Sequence, residues 1–410
     1  MSGAARRSGR FGTVLTVLLA CGALAGPALA GPARADGARR AEEIAPGVEY
    51  REFDLPASHG VTHAHLVSVD LDKRHVRIGL LRPGSVAARA TVSRLADAQG
   101  AVAGVNGDFF DITESEHPGV AATGSSVGPE IANGSALKAA VPRGQRFGPA
   151  LPPGAATEDV VGVDTGGTAR TDRLTLSGSV TTPEGRLALG GLNQYALPVG
   201  SIGAYTGEWG AVSRARAVCG TDTTRSAPCS KDTYEVTVRG GRVVATSTGP
   251  GGGAIPAGTT VLVGREAGAR RLRALHTGEA VRVEHHLVAA SGVTYAFAVG
   301  GFPVLRGGAA LPGLDAATGA VRTGVGIASG GHRLLLLVTD GSAEYRGGLT
   351  VAELAAELHR LGAAEGFDLD GGGSSTLVVR KPGKGAVSVL NHPSGGAERA
   401  VANGVGVFSG

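Results

Sequence analysis

Phe367-Asp368-Leu369-Asp370-Gly371-Gly372-Gly373-Ser374-Ser375 is the densest polar constellation in this 410-residue chain, and the rest is read outward from it. Strand alternation puts Phe367 and Leu369 on one face, so Asp368 and Asp370 point together to the other, about 7 Å apart at their Cα atoms. Three glycines then permit backbone conformations that turn consecutive N–H groups toward one point, an arrangement suited to an anion such as phosphate. Ser374 and Ser375 add hydroxyl donors. A glycine-rich turn between two strands is the plain alternative, but two acids and two serines at the end of an apolar strand favour a site.

Just upstream, Thr350 and Glu353 have the spacing of a capping box. Val351, Leu354, Ala355, Leu358 and Leu361 recur at helical spacing until Gly362 stops the run. The pattern predicts a helix followed by a short strand at 366–369. The same layout occurs earlier in the chain. Thr91 caps a helix whose inner face is Val92, Leu95 and Ala96, Gly100 ends it, and an apolar strand at 101–105 delivers Asn106-Gly107-Asp108-Phe109-Phe110-Asp111. Helix, strand and polar loop thus appear twice, which places the two loops at one end of a shared sheet.

Elsewhere the pattern is strand-like. Residues 61–81 alternate loosely and read as a strand pair about a turn at Asp72-Lys73. Residues 112–190 are rich in Gly, Pro and Thr, with one strand-like stretch at 160–163. Residues 192–290 read as a small inserted β unit, with strands at 234–238, 242–246, 260–263 and 280–283 punctuated by glycine pairs and triplets. Strands at 294–299, 325–328, 334–338, 377–379 and 404–408 follow. The fold class is α+β, sheet-rich with few helices. Its parts are an export signal at 1–35, a main domain split into 36–191 and 291–410, and the insertion at 192–290.

Composition narrows the function. Arg6, Arg7, Arg10 and Arg34 lie within the first 35 residues with no acid beside them. Without them the 39 Lys and Arg residues fall to 35, against 35 Asp and Glu. A nucleic-acid partner needs a cationic excess that the remainder lacks. The same 35 residues have a basic start, an apolar stretch at 14–24 and small-residue sites at Ala28-Leu29-Ala30 and Ala33-Arg34-Ala35, the three parts of a secretory signal. The expectation is a secreted, extracellular protein with no membrane span after cleavage. In an oxidising exterior Cys219 and Cys229, separated by a polar, turn-rich stretch, are expected to form a local disulfide.

Other chemistries fit less well. Gly372-x-Ser374-x-Thr376 lacks the second glycine of a nucleophile elbow. Gly249-Pro250-Gly251-Gly252-Gly253 has no Lys-Ser or Lys-Thr after it and is a turn, not a P-loop. His63-x-His65 shares a strand face, but no third metal ligand is in view. His285-His286 points to opposite faces. Arg322, in Arg322-Thr323-Gly324-Val325-Gly326, can offer a planar guanidinium to two phosphate oxygens. Asp340 emerges from an apolar strand, and Asn106 offers an amide at a comparable strand end.

In order along the chain, NGDFFD (106–111), AVGGFPVLRGG (298–308), RTGVG (322–326), TDG (339–341), GLTVAELAAELHRLGA (348–363), LDGGGSSTLVV (369–379) and ERAVANGVGVF (398–408) resemble the phosphodiester glycosidase family. The likeness covers about 61–110 and 292–408 and leaves 192–290 outside. It implies an α+β hydrolase domain that cleaves a sugar from a sugar-1-phosphodiester, releasing the free sugar and a phosphomonoester. Two positions depart from the family pattern: Asp368, where Asn is usual, and Asp108, where Gly is usual. Both add negative charge that Arg322, Arg399 or a divalent cation must offset.

The expected site therefore has Asp370, then Asp340, with Asp368, as catalytic carboxylates. Arg322, Asn106, Asp108, Gly371, Gly372, Gly373, Ser374, Ser375 and Arg399 are its phosphate- and substrate-binding residues. Asp368, Asp370 and Asp340 are the candidate ligands should a divalent cation bind; no other cofactor is expected. The partner is a phosphorylated glycan or sugar-1-phosphodiester. The rival readings are a non-catalytic envelope-glycan binding protein and a metal-dependent phosphodiesterase that cuts the P–O bond.

Overall fold

The computed structural model describes residues 41–410, so the signal-like segment read at 1–35 lies outside the described residues. The α+β, sheet-rich class is as expected. Among the described residues there are four sheets and three α helices: α1 (Val92–Gln99), α2 (Ala267–Leu272) and α3 (Val351–Arg360).

An eight-stranded antiparallel sheet forms the larger frame. Its order is Glu42–Ala45, Val48–Ala57, Gly60–Asp70, Arg333–Thr339, Thr323–Ala328, Glu365–Asp368, Phe302–Arg306 and Ala309–Ala310. The central strands are buried on both faces, which is why Arg333–Thr339 reads as a continuous apolar run instead of an alternating one. On one face lies α3, whose Leu354 packs so close to Gly324 that a Cβ there would come within 2.8 Å of it. The capping box is present in full, with Thr350 accepting from the Glu353 amide and the Glu353 carboxylate accepting from the Thr350 amide.

A five-stranded sheet, in the order Ser388–Val389, Leu377–Val379, Ala103–Asn106, Gly404–Ser409 and Val76–Leu81, packs with α1. That helix begins at Thr91, whose hydroxyl accepts from the Arg94 amide, and ends at Gly100 in the left-handed conformation (φ 73°) that glycine adopts freely. A seven-stranded sheet is built round Asp159–Asp164, Ala169–Thr182 and Tyr295–Gly300. A second five-stranded sheet is made from strands between Gly191 and Arg265. Next to it α2 follows Thr259–Arg265, a helix too short for the sequence pattern to reveal. Arg282–Ala289 pairs with Ala169–Thr182 in the seven-stranded sheet. Cys219 and Cys229 are disulfide-bonded.

Two expectations of topology fail. Gly60–Asp70 and Val76–Leu81 are both strands, but they do not pair with each other. The first pairs with Val48–Ala57 and Arg333–Thr339, the second with Gly404–Ser409. The Asp70 and Leu71 amides donate to the carbonyls of Gly47 and His332, which keeps the exit of the first strand in its own sheet while the chain crosses to the other. Likewise, the strands that deliver the two polar loops belong to different sheets, Ala103–Asn106 to the smaller and Glu365–Asp368 to the larger.

Candidate functional site

Although they come from separate sheets, the two loops meet. The Asp370 amide donates to the Gly107 carbonyl at 2.9 Å, and Asn106 Nδ2 donates to the Asp370 carbonyl at 2.6 Å. Asn106 is fully buried, and its Oδ1 accepts from Thr323 Oγ1 at 2.8 Å and from the Thr376 amide at 3.1 Å. Its side chain is thereby spent on joining the loops and is not presented to a substrate. Ser375 is turned inward too, against Thr323 Oγ1 at 3.1 Å.

The glycine triplet forms a single 3-10 turn, Gly372–Ser374, instead of a three-amide cradle. The Gly372 amide donates to the Val321 carbonyl at 2.8 Å, and the Ser374 and Ser375 amides close the turn on Gly371 and Gly372 at 3.2 Å. The cause is that Leu369 remains docked on Thr323, so the segment stays within reach of the preceding strand's carbonyls. Gly373 serves a different purpose: a Cβ there would run into the guanidinium of Arg399, which lies across the turn. Arg399 is exposed, and its Nη1 donates to Ser374 Oγ at 3.2 Å.

Three carboxyls are shifted toward neutrality. Asp370 is half-buried; burial pushes it from 3.8 up to about 6, against the lowering effect of the Ser374 hydroxyl, the Arg399 charge and the Gly371 amide. Asp368 is fully buried and pushed to about 7, chiefly by burial, with Arg322 opposing the shift and the Asp370 charge adding to it. Neither Asp368 oxygen has a hydrogen-bond partner among the described residues, and the nearest cation, Arg322 Nη1, is 3.8 Å away. Asp108 is also buried and pushed to about 7, although the Gly128 amide donates to it at 2.5 Å and the charges of Lys138 and Arg146 favour its ionised form.

Arg146 is the residue that sequence reasoning missed. Its charge reaches Asp108, Asp368 and Asp370, and its guanidinium lies over the rings of Phe109 and Phe302, 5.1 and 5.7 Å from their centroids. Phe109 and Phe302 stack on each other at 6.0 Å, one from the first polar loop and one from the large sheet. A lone arginine in a Gly- and Pro-rich stretch carries no motif, and only the folded chain brings it here.

Arg322 and Asp340 need correction. Arg322 is buried, and two of its donors are committed, Nε to the Leu349 carbonyl at 3.0 Å and Nη2 to the Thr318 carbonyl at 3.1 Å. It compensates Asp368 and is not an open two-pronged clamp. Asp340 stands apart from the other acids. Register pairs Val338 with both His65 and Thr323, so these share a face of the large sheet, and Asp340, two residues past Val338, belongs with them. Asp368 pairs with Gly324 on the other face. Burial alone would raise Asp340, but hydrogen bonds from His65, the Ser342 amide and His392 outweigh it and hold the carboxyl well below the usual range. Asp340 therefore cannot complete a cation site with Asp368 and Asp370.

What converges is a half-buried carboxylate, Asp370, backed by the buried Asp368 and flanked by Arg399, Ser374 and Arg146. Two carboxyls that exchange protons near neutral pH are equipped for general acid–base work on a bond beside an anionic group.

No curated protein sequence matches the chain. Among solved structures it is similar in fold to a hypothetical protein from Synechocystis, with TM-score 0.67 and 19% identity over 89% of this chain and 62% of that one. The chain thus spans less than two thirds of that protein. It is also similar in fold to a putative exported protein from Burkholderia pseudomallei, with TM-score 0.65 and 23% identity over 85% of this chain and 74% of that one. The zebrafish N-acetylglucosamine-1-phosphodiester alpha-N-acetylglucosaminidase catalytic domain, auto-inhibited by its pro-peptide, is a looser likeness, with TM-score 0.44 and 14% identity over 91% of this chain and 88% of that one. The phosphodiester glycosidase family model matches residues 232–408, a span of less than half the chain that begins inside 192–290 and holds Arg322, Asp368, Asp370 and Arg399, and it is this family that the C-terminal part of the chain resembles.

Proposed function

We propose that this protein is an exported hydrolase that cleaves the glycosidic bond of a sugar-1-phosphodiester in envelope or extracellular phosphoglycans. The observation that carries this reading is Asp370: half-buried, pushed to about 6, and set between the Ser374 hydroxyl and the Arg399 guanidinium. At neutral pH it is largely ionised and able to accept a proton. Water attacks the anomeric carbon and gives its proton to Asp370. The bond from that carbon to the phosphodiester oxygen breaks, and the electron pair leaves with the phosphomonoester. Such a leaving group needs little protonation, so one carboxylate suffices where ordinary glycosidases use a pair. Arg399 and Arg146 supply the positive charge that holds the phosphodiester, and the charge on Asp370 holds back the ionisation of the buried Asp368 behind it.

Export is supported by the basic start, apolar stretch and small-residue sites of the first 35 residues, and by the Cys219–Cys229 disulfide, a bond typical of oxidising compartments. Among the described residues no helix is long and apolar enough to cross a membrane. The test is to incubate the purified protein with a panel of sugar-1-phosphodiesters, with and without chelator, and identify products by mass. Free sugar plus phosphomonoester is the expected result; sugar-1-phosphate, or binding without turnover, overturns the reading.

A further inference from the structure

On the face of the eight-stranded sheet opposite Asp368, His63 and His65 stand two residues apart on Gly60–Asp70 and so project together. Register sets Glu52 directly across from His65 and Asp54 across from His63. One donor atom from each of Glu52, His63 and His65 lies within 4.8 Å of the others. The third ligand absent from the local sequence is thus supplied by the neighbouring strand.

Both imidazoles carry a carboxylate on one ring nitrogen. Asp340 Oδ2 meets His65 Nε2 at 3.4 Å, and Asp54 Oδ1 meets His63 Nδ1. Asp340 is itself held by the Ser342 amide at 2.8 Å and by His392 Nδ1 at 2.8 Å. A carboxylate on one nitrogen fixes the tautomer and leaves the opposite nitrogen as a lone-pair donor, the arrangement found behind metal-bound histidines. The nitrogens opposite these carboxylates are His63 Nε2 and His65 Nδ1, the latter now engaged by the Tyr50 hydroxyl. His65 Nδ1 is 4.0 Å from Glu52 Oε2, and a cation that takes nitrogen and oxygen ligands at about 2.0–2.2 Å spans that gap with a shift of under about 1 Å. The Tyr50 hydroxyl now bridges the pair, 2.8 Å from each, marking the position a cation would contest. The His65 side chain is 3% exposed and that of His63 is 22% exposed, so the cluster is rooted in the sheet yet open on one side.

We propose that Glu52, His63 and His65 bind one zinc ion, with Asp54 and Asp340 orienting the two imidazoles. Two nitrogens and one carboxylate oxygen suit zinc better than magnesium or calcium, which take oxygen ligands. This site is independent of the Asp370 chemistry.

The test titrates the chelator-stripped full chain with zinc chloride by calorimetry at pH 7.5, with cobalt absorption as a second readout of coordination. One zinc per chain is expected. His63→Ala, at a partly exposed position, should weaken binding at least 100-fold, and Glu52→Gln at least 10-fold. Asp54→Asn, which alters only an orienting group, should weaken it about 10-fold. His332→Ala, remote from the cluster, should bind as wild type. If His63→Ala does not fold, Glu52→Gln decides. Absence of stoichiometric zinc in the wild type, or zinc binding unchanged in both ligand variants, overturns the assignment.

Discussion

Replacing Asp370 by Asn removes a charge that the fold resists. The carboxyl is moved from 3.8 to about 6, and each unit corresponds to about 1.4 kcal/mol, so the native state opposes ionisation by about 3 kcal/mol at most. Because the group is only half-buried, solvent screening reduces this to about 1–2 kcal/mol. The native pKa lies above the unfolded value, so the native state binds the proton more tightly. This group's contribution to stability therefore falls as pH rises from about 4 to about 6 and is flat above that. Asp370→Asn escapes the loss. Variant and wild type should be equally stable near pH 4, and at pH 7.5 the variant should be more stable by about 1–2 kcal/mol, a rise in Tm of roughly 1–3 °C for a chain of this length. Turnover should fall by about 10³-fold, and the rise of wild-type activity with pH through about 6 should vanish. Urea unfolding by circular dichroism at both pH values, run beside sugar release, measures both effects. A variant that loses stability on going to pH 7.5 relative to wild type, or one that turns over normally, refutes the reasoning.

Asp340→Asn should do the reverse: its carboxyl is held below the ordinary range, so it stabilises the fold at pH 7 and loses that contribution in acid. The variant should be about 3 kcal/mol less stable at neutral pH by urea unfolding, while the folded fraction keeps its turnover. Arg399→Gln, at an exposed position, should raise KM about 10-fold in steady-state assays with no change in Tm. Asn106→Ala removes the acceptor of the Thr376 amide and the donor to the Asp370 carbonyl and should cost about 2–3 kcal/mol by denaturation, with loss of activity as the loops separate.

Local features were legible because their hydrogen bonds close within a few residues. Thr91, Gly100, Thr350 and Glu353 announce both longer helices, and the apolar runs announce most strands. Pairing was not legible. Nothing between residues 61 and 81 says that the two strands there enter different sheets, since that choice is made by Gly47, His332 and the strand Gly404–Ser409. The acidic loop was visible as chemistry, but whether its amides remained free depended on Val321, about fifty residues upstream, which takes the Gly372 amide.

By itself, then, the amino-acid order determined a sheet-rich α+β chain, its two capped helices, and a polar loop bearing Asp368 and Asp370, because residue type and spacing dictate these within a few bonds. Only the tertiary structure decided that Asn106 fastens the Asp370 loop across a separation of 264 residues, that Arg146 joins the acids, and that Asp340 turns to the histidine face. Each of these depends on sheet register, in which one residue of slip exchanges the two faces, and register is set by partners far away along the chain.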